Sequence, residues 1–200
     1  VAAHDSISLK AGLLLKDSLL IALSYYQLGL LATYQARFAE AQTLFNKSLQ
    51  VYFEKDQSET TAVVYNDLGY MYGQMGDLDK QLEWLIKAMR LYDANGDEAG
   101  AGQTLNNIGT ALNEAGRTAE ALQYMKRSIA IREKLGNKMA LAICYNNAAQ
   151  MYMKLDSLEQ EIFEGRSDKD LVRDISNVKQ EIINFRKVIR PQRPVLRDLE

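Results

Sequence analysis

The chain has 200 residues, 47% of them hydrophobic and 25% charged, which is enough to bury a continuous core and too apolar for a disordered chain. Its net charge of −2 gives no reason to expect nucleic acid or an anionic membrane as partner. One cysteine, Cys144, and one histidine, His4, exclude an intramolecular disulfide and argue against a soft-ligand metal site, so no cofactor is expected.

Only two prolines occur, Pro191 and Pro194, both in the last ten residues. A chain so poor in proline and in β-branched runs reads as all-helical. No run of 18 apolar residues appears, so no membrane span is expected. The apolar stretch LKAGLLLKDSLLIAL near the start is broken by Lys10, Lys16 and Asp17. It fits the repeat below better than a cleaved leader, and a reducing, cytoplasmic setting is expected.

Four segments set the organisation: SYYQLGLLATYQARFAEA, VYNDLGYMYGQMGDLDKQ, TLNNIGTALNEAGRTAEA and CYNNAAQMYMKLDSLEQE. A small residue recurs at Gly29, Gly69, Gly109 and Ala149, a period of 40 kept three times without slippage. Turn residues Gly76-Asp77 and Gly116-Arg117 follow Gly69 and Gly109 by seven residues, and a second break recurs in KDQSE, NGDEAG and LGNKM. Each unit is therefore a helix A, a tight turn and a helix B. In the third unit they run from about Ala99 to Ala115 and from Thr118 to Leu135. Residues 5–15 are a helix B from a preceding unit.

A glycine inside a helix costs about 1 kcal/mol relative to alanine, and close approach of the partner helix is the expected return. Tyr65, Leu68 and Tyr72 make one buried stripe on helix A, and Leu82, Leu85, Ile86 and Met89 the facing stripe on helix B. One pair cannot cover both stripes, so pairs must stack. Cys144, among Leu141, Tyr145 and Ala148, reads as a buried small hydrophobe, and Trp84 as core.

The A helices also carry a ladder: Tyr26, Asn66, Asn106 and Asn146, each followed by Gln27, Asp67, Asn107 and Asn147. Asparagine offers two donors and an acceptor, which suits a peptide backbone read without regard to its side chains. Tyr70, Thr110 and Gln150 lie one turn on and share that face. The same asparagines equally suit hydrogen bonds between helices that set the packing register. No phosphate loop, nucleophile elbow or metal-ligand spacing occurs, so an enzyme is not expected.

Leu28-Gly29, Leu68-Gly69 and Ile108-Gly109, with Tyr72, Gly76, Ala88 and Ala121 at their offsets, make residues 5–155 resemble the tetratricopeptide repeat, in its longer 40-residue variant. The departures are Ala36 and Asp156 for the turn glycine and Gln81 for the small residue. The resemblance implies a right-handed superhelical array of antiparallel helix pairs, its concave face lined by A helices and binding peptides or helices of partner proteins. It also implies that Asn66, Asn106, Asn107, Asn146 and Asn147 hold ligand backbone, with Tyr70 beside them.

After Leu155 the period stops. Leu141, Tyr145, Ala148, Tyr152, Leu155, Leu158 and Ile162 nevertheless keep 3–4 spacing through the place where the turn is due. Asp156-Ser157 are able to cap a new helix, but the unbroken phase predicts one helix over about 138–164, shared between a repeat array (1–155) and a tail (156–200). In the tail, Ser167 and Asp170 form a helix start, followed by an apolar stripe at Leu171, Ile175, Val178, Ile182, Phe185 and Ile189. The basic run Arg186, Lys187, Arg190, Arg193 and Arg197 reads as a solvated face.

LEQEIFEG and LVRDISNVKQEIINFRKVIRPQRPVLRDLE resemble the helical hairpin in the cytoplasmic domain of CorA-type magnesium transporters, over about 157–200. That family's Gly-Met-Asn filter is absent, so neither transport nor a cation site carries over. Two resemblances meeting in one helix suggest an engineered or structural fusion without activity, retaining a latent peptide groove and a tail stripe through which chains would self-associate. The alternative is a natural cytoplasmic protein-interaction module of a signalling or adaptor protein.

Overall fold

A computed structural model describes the backbone over 2–55 and 58–165, and side chains over 8–55 and 58–155. The tail helix start, its apolar stripe, the basic run and the second arm of the hairpin lie outside the described residues, as does the side chain of His4. The described residues form eight α-helices and no strand: α1 (Ala2–Leu15), α2 (Ser18–Tyr34), α3 (Phe38–Glu54), α4 (Ser58–Gln74), α5 (Leu78–Asn95), α6 (Glu98–Glu114), α7 (Thr118–Leu135) and α8 (Lys138–Gly165). Helices α2, α4, α6 and α8 are the A helices; α3, α5 and α7 are the B helices. Links this short force neighbouring helices antiparallel. The chain divides into two compact units between Thr104 and Leu105, inside α6.

The helix starts follow the 40-residue period. Asp17, Asp97 and Asn137 each accept the backbone N–H three residues on, from Leu20 at 3.0 Å, Gly100 at 2.8 Å and Ala140 at 3.1 Å. Each satisfies a donor that a helix N-terminus leaves orphaned. Asp77 does the same for Lys80 at the start of α5, at 3.1 Å. The stops are left-handed residues: Gly96 and Gly136 after α5 and α7, Gly76 and Gly116 after α4 and α6.

Ala36 takes the same left-handed turn, at φ 57°. A Cβ in that conformation costs about 1–2 kcal/mol, so Ala36→Gly is expected to raise stability by about 0.5–1 kcal/mol, after the larger unfolded-state freedom of glycine is counted. A raised urea midpoint with unchanged slope checks it. At the fourth equivalent position, Asp156, the chain does not turn, and α8 runs through Leu155 and Leu158 without a break.

In the first unit the core gathers Ala22, Ala32, Ala41, Phe45, Leu49, Tyr52, Val64, Leu68, Met71 and Tyr72, with Tyr65 and Trp84 packed against it. The repeat glycines make this packing possible. A methyl built on Gly29 would lie 2.9 Å from the Phe45 ring, and one on Gly69 would lie 2.7 Å from Leu85. In the second unit, a methyl on Gly109 would lie 3.1 Å from the carbonyl oxygen of Ala121. Gln81, where the first and third repeats carry Ala41 and Ala121, fits because its amide fills the space beside Gly73, 2.5 Å from where that residue's Cβ would be. Cys144 is fully buried and 3.3 Å from the Ser128 hydroxyl.

Candidate functional site

Each A helix leaves one stripe less buried than the rest of its surface. In the first unit that stripe is exposed at Leu19, Leu23 and Tyr34 on α2 and at Glu59, Val63, Tyr70 and Gln74 on α4, with Gln27 and Asp67 half-buried along it. In the second it is Asn107, Thr110 and Glu114 on α6, and Met139, Ile143, Asn147, Gln150 and Lys154 on α8. Burial falls between these positions because the flanking ones enter the core, at i, i+3 and i+4 spacing.

Several exposed residues on this stripe are large and apolar: Leu23 is 41% exposed, Tyr34 74%, Tyr70 43% and Ile143 53%. Tyr34 and Tyr70 meet across α2 and α4, ring centroids 6.3 Å apart. Leu23, Val63 and Ile143 recur at one register position, three residues before the asparagine ladder. Sequence reasoning passed over them, although the register gives the signal: apolar residues at a position that neither buried stripe uses.

The predicted ladder divides by environment. Asn66 is buried, and its side-chain oxygen faces the Thr104 hydroxyl at 3.4 Å. Asn106 is half-buried and accepts from Asn147 Nδ2 at 3.1 Å, with the Cys144 thiol at 3.5 Å. Asn107 and Asn147 are half-buried, Asn146 is exposed, and Tyr70 is exposed against Tyr34. So Asn66 joins α4 to α6, and Asn106 and Asn147 join α6 to α8, while Asn107 is half-buried and Asn146 and Tyr70 are exposed.

A difference in unfolding follows. Asn106→Ala removes the acceptor for a half-buried amide and is expected to cost about 1–2 kcal/mol. Asn146→Ala is expected to stay within about 0.5 kcal/mol. Paired thermal unfolding curves check both.

Asp67 is the charged member of its register position, where Gln27, Asn107 and Asn147 stand in the other repeats. The Tyr26 hydroxyl donates to Asp67 Oδ2 at 2.7 Å. Burial pushes the Asp67 carboxyl above its ordinary value of 3.8, and hydrogen bonds from Tyr26 and Asn66 oppose that shift without cancelling it. The same burial, with Asp67 beside it, drives the Tyr26 hydroxyl far above the tyrosine range.

With its folded value above its unfolded one, Asp67 keeps a proton in the native chain where the unfolded chain has lost it. Its contribution to stability is therefore full below 3.8 and is lost as pH rises through the raised folded value. Asp67→Asn is expected to abolish this slope and to raise stability at neutral pH. Urea unfolding of both proteins across pH 4–7 measures it.

Among the described residues, no group of three histidine, cysteine or acidic side chains is placed to hold a metal ion, and no helix is long and apolar enough to cross a membrane.

The family model for the tetratricopeptide repeat matches residues 20–94, 60–134 and 100–160. No curated protein matches the chain. Among solved structures, BtubC (BKLC) from P. vanneervenii is similar at 19% identity and a TM-score of 0.64, over 93% of this chain and 84% of that one. A Rap protein complexed with Competence and Sporulation Factor is similar at 14% identity and a TM-score of 0.68, over 92% of this chain and 60% of that one. Aspartyl phosphate phosphatase F from Bacillus subtilis follows at 16% and 0.63, over 88% and 51%. This chain thus spans only part of the last two, and at these identities the likenesses establish the fold alone.

Proposed function

The chain belongs to the tetratricopeptide-repeat family, and on that premise we propose that it is a non-enzymatic protein-interaction module whose A-helix faces hold a peptide or protein segment. The observation that carries this reading is the exposed stripe itself. Leu23, Tyr34 and Tyr70 in the first unit and Ile143 in the second stand open, with the polar side chains Gln27, Asp67 and Asn147 at one register position among them. Apolar side chains left in water beside hydrogen-bonding amides are what an extended ligand needs: area to bury and partners for its backbone.

The Rap structure in complex with Competence and Sporulation Factor supports the same reading, since a fold of this kind there accompanies a bound factor. A purely structural fusion rests on residues 157–200 alone, and the repeat match through residue 160 favours the interaction module. The roles of Asn107, Asn146, Asn147 and Tyr70 as ligand contacts, and the cytoplasmic setting, belong to this proposal.

Panning a random-peptide library on the immobilised full chain tests it. The reading expects peptides retained by the chain and displaced when soluble chain is added. Retention no better than on a blocked surface would overturn it.

A further inference from the structure

We infer that the α2/α4 face of the first unit receives a positively charged group of the bound segment, a lysine or arginine side chain or a free amino terminus, at Asp67. The inference rests on the peptide-binding reading above and names the chemistry of one subsite.

Three observations carry it. First, charge: α2 holds no charged residue, and α4 holds Glu59 and Asp67 alone, so these two helices present two acids and no base. At this register position the other three repeats carry the neutral amides Gln27, Asn107 and Asn147. An amide oxygen can also accept from the Tyr26 hydroxyl, though more weakly than a carboxylate, so the hydrogen bond alone does not call for a charge.

Second, the carboxylate is incompletely compensated. Its partners, the Tyr26 hydroxyl at 2.7 Å and the Asn66 amide, are neutral. A carboxylate offers about four acceptor sites, and a sheltered charge met by neutral donors is costly until an opposite charge arrives.

Third, the walls suit a cation. Tyr70 lies one turn from Asp67 on α4 and Tyr34 faces it from α2, rings 6.3 Å apart and both exposed. Tyrosine faces attract an ammonium or guanidinium, and exposed rings cover the aliphatic stem behind it. A neutral or acidic segment would bury the rings but leave the Asp67 charge without an opposite one.

The probe is the set of peptides that the library selects on the full chain, made synthetically with a fluorescent label. The expected result is enrichment for lysine, arginine or an amino-terminal requirement. Asp67→Asn should weaken these peptides by about tenfold or more, and Tyr70→Ala, an exposed change that leaves the core intact, should weaken them by a smaller factor. Two arms separate the sources: replacing the peptide's lysine or arginine by glutamine, and acetylating its amino terminus. Loss in either arm supports the inference and says which cation is read.

Peptides that bind the wild type and Asp67→Asn equally, and tolerate both peptide changes, would overturn the inference, leave Asp67 a packing residue and leave peptide binding standing. A library that yields no retained peptide would overturn both.

Discussion

Phe45→Ala is expected to destabilise the first unit by about 3–5 kcal/mol, the range for emptying a buried phenylalanine site. Phe45 is fully buried, and its ring occupies the space that Gly29 leaves open on α2. The stronger test is the pair. Gly29→Ala alone puts a methyl 2.9 Å from the ring, an overpacking cost of about 1–3 kcal/mol. That outweighs the gain of about 1 kcal/mol in helix propensity. In the Phe45→Ala background the ring is gone, and the same substitution should stabilise by about 1 kcal/mol. A double-mutant cycle followed by urea unfolding reads the reversal of sign. Equal destabilisation in both backgrounds would mean that Gly29 serves the backbone and not the contact.

The second large effect is on binding. Leu23→Glu with Ile143→Glu places a charge on the exposed stripe of each unit. Such a change should weaken a library-selected peptide by about tenfold or more, ~1.4 kcal/mol. Stability should move by only about 0.5 kcal/mol, because both residues already stand in water. Arg90→Glu and Arg127→Glu, exposed on α5 and α7, should leave the affinity unchanged. Fluorescence anisotropy with one labelled peptide measures all four variants.

The fold was legible because its strongest signals are local and repeated. The 40-residue spacing from Gly29 to Ala149, the turn glycines and the 3–4 apolar spacing identify the helices and their pairing. The boundaries of α7 and the burial of Cys144 follow from the same pattern. What escaped depends on contacts between elements. Gln81 looked like a departure from the small-residue rule, and its tolerance comes from Gly73 on another helix. Ala36 lacks the turn glycine and turns anyway, whereas Asp156 lacks it and stays helical. The missing glycine therefore does not decide the turn.

The asparagine ladder was legible as a ladder and not as a set of environments. Asn66 and Asn146 share a register position, yet Asn66 is buried against Thr104 and Asn146 is exposed. The contact with Thr104 on α6 buries Asn66, and the pattern of a single helix does not carry it. Asp67 was read as one more member of the polar pair. Its burial and its bond from Tyr26, 41 residues away in sequence, became visible only when α2 and α4 were brought together.

The central claim is that the bound segment sits on an A-helix face and not on a B-helix face, and amide chemical-shift mapping tests it most directly. Titrating a library-selected peptide into isotope-labelled protein should move amides on the exposed A-helix face of the unit it occupies: around Leu23–Tyr34 on α2 and Val63–Gln74 on α4 in the first, or Asn107–Glu114 on α6 and Ile143–Lys154 on α8 in the second. The exposed faces of α3, α5 and α7 should stay still. Shifts confined to those B helices, with the A-helix stripe unmoved, would contradict the account.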